Sequence, residues 1–536
     1  MMLFTSAESR KRAFTAASLL CLAGAFALAL YYIWGPSRVE FHSDFTDTLM
    51  WAEASYTSGR VFSPTFSYAA LLPFGGQLLM LPFIGITGVS MTTHALGMSL
   101  FLCALTAALF FFFCSMRWSA GASALASAAV LLAAQLSPKL REMFYGHIIY
   151  YSLGILFLLV GLALTFRILE NGSADGRPKG KVAAWAVLSI WVVLCSTDGF
   201  TALTLFTLPV VSALLAERFF DTRTKLGARE NRVAYRLAIL ILAASVLGWG
   251  LGKWMAGSLT AEYANMFSAF SSPDTWAANL MKFVAHWPTL LGADGTGGSA
   301  IASLNGISAA MRIALSLLLL ALPIAALFVY RKLDSRADRV VVIAHWAVAA
   351  FILFGYTFGQ LHWANWRLAP LVVTSLMVCF VMIRWLWKNV KFKRLGAALA
   401  APLAVVLLMG AVEAAALPNN PETGSQYYRI GRYLERNGFT YGYASFWNAN
   451  VVTVVTDSKV KVREVVITED SYMPRRYQCD SRWYLDQPGQ RQYFLLLTGD
   501  EYNEAIKNKN PILNGSVRTL WFDTYAILVY DENLFH

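Results

Sequence analysis

The sequence is poor in charged residues and in paired cysteines, and both shortages narrow the class of protein. Only 14% of its 536 residues are charged and 57% are apolar. This composition excludes a soluble domain of such length and indicates a multi-pass membrane protein. The six cysteines are scattered, and Cys479 stands alone near the C-terminus. No pair of them has metal-ligand spacing, and none implies a disulfide framework.

A continuous basic patch is also missing, although the formal net charge is +12. Lys and Arg occur in short runs between apolar stretches, as the positive-inside rule requires, so we expect a membrane rather than nucleic acid as the partner. The basic run 10–12 precedes an apolar stretch that is long enough to span the bilayer. Because no clear small-residue cleavage site interrupts that stretch, we expect a retained first helix and not a signal peptide.

About eleven apolar stretches have the length needed to cross some 30 Å of hydrocarbon. They are 13–35, 94–116, 119–137, 148–167, 182–197, 200–217, 237–256, 309–330, 340–358, 369–387 and 395–416. The alternate connections are rich in Lys and Arg. This bias predicts a cytoplasmic N-terminus, with the first outer loop, 36–93, and the C-terminal tail outside the cytoplasm.

The stretch 66–88 is a further apolar segment of spanning length. If it crossed, the later basic loops would lie outside, which the charge bias opposes. It is also interrupted by Pro73, Gly75, Gly76 and Pro82. We therefore expect a broken, re-entrant or surface-lying segment.

After residue 416 the composition changes abruptly, and 418–421 is typical of a linker. The tail combines one helical pattern with several strand patterns. The helix is predicted over 425–437, and the strands over 440–445, 459–467, 492–498 and 516–531. The expected architecture is therefore a helical membrane domain, 1–416, followed by an extracytoplasmic α/β domain, 417–536. Four aromatic residues in this domain either form its core or contact a glycan acceptor. They are Tyr441, Tyr443, Phe446 and Trp447.

Two carboxylates, Asp44 and Asp47, lie at the start of the first outer loop. Carboxylates are costly near hydrocarbon, so a pair at a membrane boundary suggests a function. The alternative is structural: Asp44 caps a helix that begins near Thr46, and Asp47 adds charge to its first turn.

The topology and this loop together resemble the GT-C superfamily, whose members are integral-membrane glycosyltransferases that use polyprenyl-phosphate-linked sugars. The residues that carry the resemblance are the motif Asp44-Phe45-Thr46-Asp47, two small residues at Ala52 and Ala54, and Gly59. The resemblance implies a bacterial inner-membrane enzyme that transfers a hexose or pentose, with inversion, to a glycan, lipid or protein acceptor on the outer face. A first-loop acid would be the catalytic base. The family's second acidic position is displaced from 45 to 47 here, so either Asp44 or Asp47 fills that role.

A leaving phosphate requires cationic donors on the same face. The candidates are Lys139, Arg141, His362 and Arg367. Arg367 is the best of them because a guanidinium can bind phosphate through two hydrogen bonds. Its alternative role is an interfacial anchor beside Trp363 and Trp366.

Three further outer-face groups are secondary candidates for acceptor binding or for lining a cavity: Glu142, Asp198 and His147. Glu142 is equally well explained by a local pair with Lys139 or Arg141, and Asp198 by a tight turn. The sequence shows no metal motif, and we expect no required metal, with a bound divalent cation as the alternative.

Two other classes have the same general composition. A transporter or flippase would carry charged or helix-breaking residues at mid-membrane in two corresponding halves, whereas here the notable polar groups lie at one interface. An O-antigen ligase or polymerase would rely on a long, late outer loop. The acidic pair in the first loop therefore favours the glycosyltransferase.

Overall fold

The structure is a computed structural model that describes residues 7–171, 178–220, 229–261, 269–293, 300–333 and 335–535. Within these residues, nine helices are long and apolar enough to cross a membrane. They are Glu8–Trp34, Met91–Ser115, Tyr150–Glu170, Phe200–Phe220, Arg232–Ala256, Leu304–Lys332, Arg336–Thr357, Asn365–Lys388 and Val390–Ala415. The predicted multi-pass helical architecture is confirmed.

The other two predicted spans are shorter helices. Ala120–Ala133 is followed, after a bend of 115°, by the segment Pro138–Gly146, and the pair would count as a tenth span if joined. The remaining helix, Pro178–Ser196, has an apolar part of fewer than eighteen residues. Each of the eleven predicted stretches therefore contains a helix.

Two helices form the centre of the bundle. The apolar windows of Tyr150–Glu170 and Asn365–Lys388 are 83% and 89% buried, against 17% for Glu8–Trp34. A helix that is apolar on all sides is suited to such a central position. The short segments 138–149 and 361–364 lead directly into these two central helices.

The segment between the first two long helices, which was predicted to be the first outer loop, folds into short elements that are below spanning length. Helix Asp47–Ser58 ends at Gly59, whose positive φ of 65° suits glycine. Strand β1, Phe66–Ser67, is followed by helix Gln77–Thr87. That helix has eleven residues and covers only about 16 Å, in agreement with the prediction for this stretch.

The tail contains helix Gln426–Arg436, helix Ala449–Val455, helix Gly499–Lys507 and a six-stranded sheet. The strands are β2 (Tyr441–Ala444), β3 (Lys461–Ile467), β4 (Tyr472–Pro474), β6 (Tyr493–Thr498), β7 (Arg518–Phe522) and β8 (Tyr525–Tyr530), in the order β4-β3-β2-β6-β8-β7. Strand β2 runs parallel to β3 and β6, and the other pairs are antiparallel. The predicted helix and the strands predicted over 440–445, 459–467 and 492–498 are confirmed. The strand predicted over 516–531 is instead an antiparallel pair, β7 and β8, and β4 was not predicted.

The tail domain is seated on the first outer loop. Strand β5, Cys479–Asp480, pairs antiparallel with β1. The Ser43 hydroxyl donates a hydrogen bond of 2.7 Å to the Phe446 carbonyl. Helix Ala449–Val455 packs against the turn Ser43–Thr46. The loop that carries the acidic pair is thus partly covered by the C-terminal domain.

Candidate active site

The acidic pair lies on a tight turn that leads into a helix. Residues Ser43–Thr46 form a 3-10 turn, and Asp47 is the first residue of helix Asp47–Ser58. Thr46, and not Asp44, occupies the cap position of that helix, and no side chain caps it. Asp44 therefore does not cap this helix, whereas Asp47 does lie in its first turn as the structural alternative predicted.

Asp44 belongs to a cluster that joins the first and second outer connections. His42 Nδ1 lies 3.9 Å from Asp44 Oδ2, and His42 Nε2 lies 3.5 Å from Glu142 Oε2. Lys139 Nζ donates a hydrogen bond of 2.6 Å to Glu142 Oε2. His147 is buried beside them, and neither of its ring nitrogens has a hydrogen-bond partner. The fold therefore brings together acids that are about 100 positions apart.

The two aspartates have different electrostatic environments. Burial raises the pKa of Asp44, and Glu142 raises it further, while His42 and Lys139 lower it. Burial raises the pKa of Asp47 much more, and the charge of Asp44 adds to that effect. Asp44 remains about a third exposed, whereas Asp47 is 7% exposed. Asp44 is therefore the accessible carboxylate, and Asp47 favours its neutral form.

Electrostatic interactions favour the charged form of Glu142 although it is buried. Burial raises its pKa, but a hydrogen bond with His42 and electrostatic interactions with His147, His42 and Lys139 outweigh that effect and hold the pKa at about 2. Burial lowers the pKa of His147 to about 4. The pairing of Glu142 with Lys139 that the sequence suggested is present, and it lies within the cluster rather than on a solvated turn.

The C-terminal domain adds a second layer of buried polar groups. Gln478 is fully buried and accepts a hydrogen bond from the Trp51 indole N–H, and its side chain lowers the pKa of Asp47. Asn450 donates to the Glu464 carboxylate at 2.7 Å and to the Gln478 carbonyl at 3.2 Å. Burial raises the pKa of Glu464 well above its ordinary value. A carboxylic acid and two amides thus support the helix that begins at Asp47.

The cations expected to bind phosphate separate into two groups. Lys139 lies over the Trp366 ring, 4.6 Å from its centroid, and Arg367 follows Trp366 in the chain. Tyr151 is close enough to both Arg367 and Glu142 to be affected by their charges. His362 is buried in the same short loop and lies 3.1 Å from the Gly359 carbonyl. Lys139 therefore contacts the short loop 361–368, which contains both His362 and Arg367.

Arg141 and Asp198 make structural contacts elsewhere. Arg141 Nη2 and Nε donate to the two oxygens of Glu40 at 2.6 and 3.2 Å, and its guanidinium lies over the Tyr32 ring. The Asp198 carboxylate accepts a hydrogen bond of 2.9 Å from the Phe74 backbone N–H. The structure does not bring these two side chains into the cluster around Asp44.

The cluster also has the donor set of a metal site, which the sequence spacing did not show. His42, Asp44 and Glu142 each offer one ligand atom, and these atoms lie within 4.8 Å of one another. One imidazole nitrogen and two carboxylate oxygens suit zinc or manganese. The Lys139 ammonium, 2.6 Å from Glu142, would have to move aside to let a cation bind.

Sequence reasoning did not include three residues that the structure places at this site: His42, Gln478 and Glu464. The position of His42, two residues before Asp44 in a short polar run, could have indicated it. The other two lie in the C-terminal domain, and only the docking of that domain brings them to the first loop.

Comparisons with known proteins agree with this architecture. The chain is similar to ArnT from Cupriavidus metallidurans, crystallised with undecaprenyl phosphate, with 13% identity, a TM-score of 0.52 and 98% of both chains covered. It is also similar to the oligosaccharyltransferase from Archaeoglobus fulgidus, crystallised with zinc and sulfate, with 11% identity and a TM-score of 0.51. That match covers 95% of this chain and 73% of the other. No family model and no curated protein sequence matches the chain.

At such identities the likeness shows the fold. The chain is a multi-pass membrane protein that shares the fold of these two membrane transferases, and the predicted fold class is confirmed.

Proposed function

We propose that this protein is a membrane glycosyltransferase that moves a sugar from a polyprenyl-phosphate donor to an acceptor on the outer face of a bacterial inner membrane. The observation that carries the proposal is the position of Asp44. It lies beside His42 and Glu142, and Lys139, which contacts that Glu142, also lies over the ring of Trp366, the neighbour of Arg367 in the chain. This arrangement combines a base with a site for a leaving phosphate.

In the proposed reaction Asp44 is the base. An acceptor hydroxyl oxygen attacks the anomeric carbon, its proton passes to the Asp44 carboxylate, and the bond from that carbon to the phosphate oxygen breaks. Attack from the side opposite the phosphate inverts the anomeric centre. Asp44 suits this role because it is accessible and because its raised pKa improves proton transfer near neutral pH. Asp47, which is buried and whose pKa burial raises, supports the turn.

The departing phosphate gains negative charge as the bond breaks. Arg367, Lys139 and His362 are the groups that would stabilise that charge, since all three carry N–H donors and Lys139 lies over Trp366 in the short loop that contains the other two. The Trp366 ring holds the Lys139 ammonium in place. Arg141 is left out of this set because Glu40 already engages its guanidinium.

The cations and the fold support a phosphate-linked sugar as the donor. The ligands in the two similar structures support it as well. ArnT was crystallised with undecaprenyl phosphate and the archaeal enzyme with zinc and sulfate. A divalent cation bound by His42, Asp44 and Glu142 would supply positive charge beside the phosphate. The proposed proton transfer uses Asp44 with or without it.

Separate replacement of the two aspartates tests the proposal. Proteoliposomes containing the purified protein receive undecaprenyl-phosphate-linked hexoses and pentoses together with an extract of the native cell envelope, and released undecaprenyl phosphate is measured by mass spectrometry. Asp44→Asn should slow release by about 10²–10⁴-fold because it removes the base. Asp47→Asn should slow it by less than about tenfold, since an amide mimics a neutral carboxyl group.

Asp470→Asn is the matched control, because Asp470 lies on an exposed turn of the C-terminal domain. It should release undecaprenyl phosphate at the wild-type rate. Full activity in both Asp44→Asn and Asp47→Asn would refute the proposed enzyme.

A further inference from the structure

Of the four aromatic residues in the segment 441–447, only one is exposed. Tyr441, Tyr443 and Phe446 are between 0% and 8% exposed, and they pack in the interior of the C-terminal domain. Trp447 is 54% exposed. Three of the four side chains therefore belong to the core, as one interpretation of this segment predicted. Trp447 alone among them is exposed to a ligand, as the other interpretation predicted.

Trp447 is held on a rigid loop. The carbonyl of Phe446 accepts the hydrogen bond from Ser43 across the domain interface. On the other side, Asn448 Oδ1 accepts a hydrogen bond of 3.1 Å from the Tyr525 hydroxyl. The Phe446 ring packs against Tyr477, with 5.4 Å between centroids. Because both neighbours are fixed, an exposed indole at this position keeps its place and loses little entropy when a ligand binds.

The exposed ring stands beside the acidic cluster. The Trp447 ring centroid lies 6.3 Å from that of His42, at an interplanar angle of 58°. Through Nε2, His42 approaches Glu142 at 3.5 Å, and through Nδ1 it approaches Asp44 at 3.9 Å. Lys139, a proposed phosphate ligand, contacts the same Glu142. His42 thus separates Trp447 from the side that would bind the donor phosphate.

We propose that Trp447 binds a pyranose ring of the acceptor by stacking, which rests on the proposed glycosyl transfer at Asp44. The weakly positive C–H face of a sugar complements the negative face of an indole, and polar groups around the stack orient the hydroxyls. A membrane anchor would be surrounded by apolar side chains and lipid. Trp447 instead has an imidazole and, beyond it, two carboxylates as neighbours, which suits a sugar.

Sugar binding can be measured without turnover. The full-length protein in phosphatidylcholine nanodiscs, which contain no sugar, is mixed with methyl glucopyranoside, galactopyranoside, mannopyranoside and arabinopyranoside. Saturation-transfer NMR reports contact with the ring C–H protons, and sorbitol, an acyclic polyol, gives the background. At least one pyranoside should exceed that background. Trp447→Ala should reduce its signal at least fivefold, and Trp447→Phe should retain most of it.

Trp521→Ala is the matched control, since Trp521 is 53% exposed in the same domain and packs against Tyr502. It should bind sugar as the wild type does. Unchanged binding in Trp447→Ala, equal loss in Trp521→Ala, or no pyranoside signal above sorbitol would each overturn the inference. Displacement of the pyranoside by an undecaprenyl-phosphate sugar would assign the ring to the donor and overturn the acceptor assignment.

The two proposals fail separately. Asp44→Asn should still bind the pyranoside, because it leaves the indole in place. Loss of transfer in Asp44→Asn with unchanged sugar binding in Trp447→Ala would retain the enzyme and reject the stacking site. Normal transfer in both aspartate variants would reject the enzyme whatever the NMR result.

Discussion

The contact between Gln478 and Trp51 should control how firmly the C-terminal domain holds the first-loop helix. Both side chains are buried, and the side-chain amide oxygen of Gln478 accepts a hydrogen bond from the Trp51 indole N–H. Gln478→Leu keeps the volume but leaves that N–H without an acceptor. A buried donor without a partner costs about 1–3 kcal/mol. Since about 1.4 kcal/mol corresponds to a factor of ten, local opening should become roughly 5- to 150-fold more frequent.

Hydrogen exchange of the amides in helix Asp47–Ser58 measures this opening directly. Mass spectrometry of the protein in nanodiscs should show faster exchange in Gln478→Leu than in the wild type. Gln492→Leu is the matched control, because Gln492 is exposed in the same domain. Its exchange should equal that of the wild type.

A double-mutant cycle then separates this hydrogen bond from other effects. Trp51→Phe removes the donor, so Gln478→Leu in that background leaves no unpaired N–H. The double variant should be more stable than the sum of the single effects predicts, with a coupling of at least about 1 kcal/mol. Strict additivity, or unchanged exchange in Gln478→Leu, would refute the role given to this contact.

Two further substitutions test contacts around the outer loops. Burial raises the pKa of Asp198 to about 8. Between about pH 4 and 8 the folded state therefore holds a proton that the unfolded chain has released. The free energy of unfolding falls as the pH rises through this range. Asn cannot titrate, so the thermal midpoint of Asp198→Asn should decrease less than that of the wild type between about pH 4 and 8. An equal decrease in both proteins would contradict this. A Cβ at Gly146 would lie 2.6 Å from Cζ of Phe45, so Gly146→Ala should displace that ring next to Asp44 and slow transfer about tenfold or more. Gly250→Ala, which meets open space, should keep wild-type transfer, and equal rates in the two variants would exclude the steric effect.

Much of the fold could be predicted because its signals are local. Apolar length indicates a membrane helix wherever it occurs, and strand patterns such as 492–498 depend on neighbouring residues alone. The bend between Ala120–Ala133 and Pro138–Gly146 was not predicted. It places Lys139 and Glu142 beside the first loop, which a straight span would not do.

The candidate site was predictable only in part. Asp44 and Lys139 were singled out as polar groups at apolar boundaries, and they lie in one cluster with His42 and Glu142, whereas a role for Arg367 stays a prediction. Arg141 is likewise a cation at an apolar boundary, but its guanidinium donates hydrogen bonds to Glu40, which is 101 positions away. Composition cannot distinguish a cation that is paired in the fold from one that faces a ligand, since the pairing is set by packing.

By itself, then, the sequence determined the class of protein, a membrane protein with an acidic first outer loop and a separate tail domain. Hydropathy and charge are properties of short segments, and they do not need the folded chain. Only the tertiary structure decided which groups meet. Ser43 and Phe446, 403 positions apart, are joined by one hydrogen bond, and that docking brings Gln478 and Trp447 to the carboxylates. It also buries Asp47 more deeply than Asp44, and burial is the reason that two nearby aspartates differ in pKa.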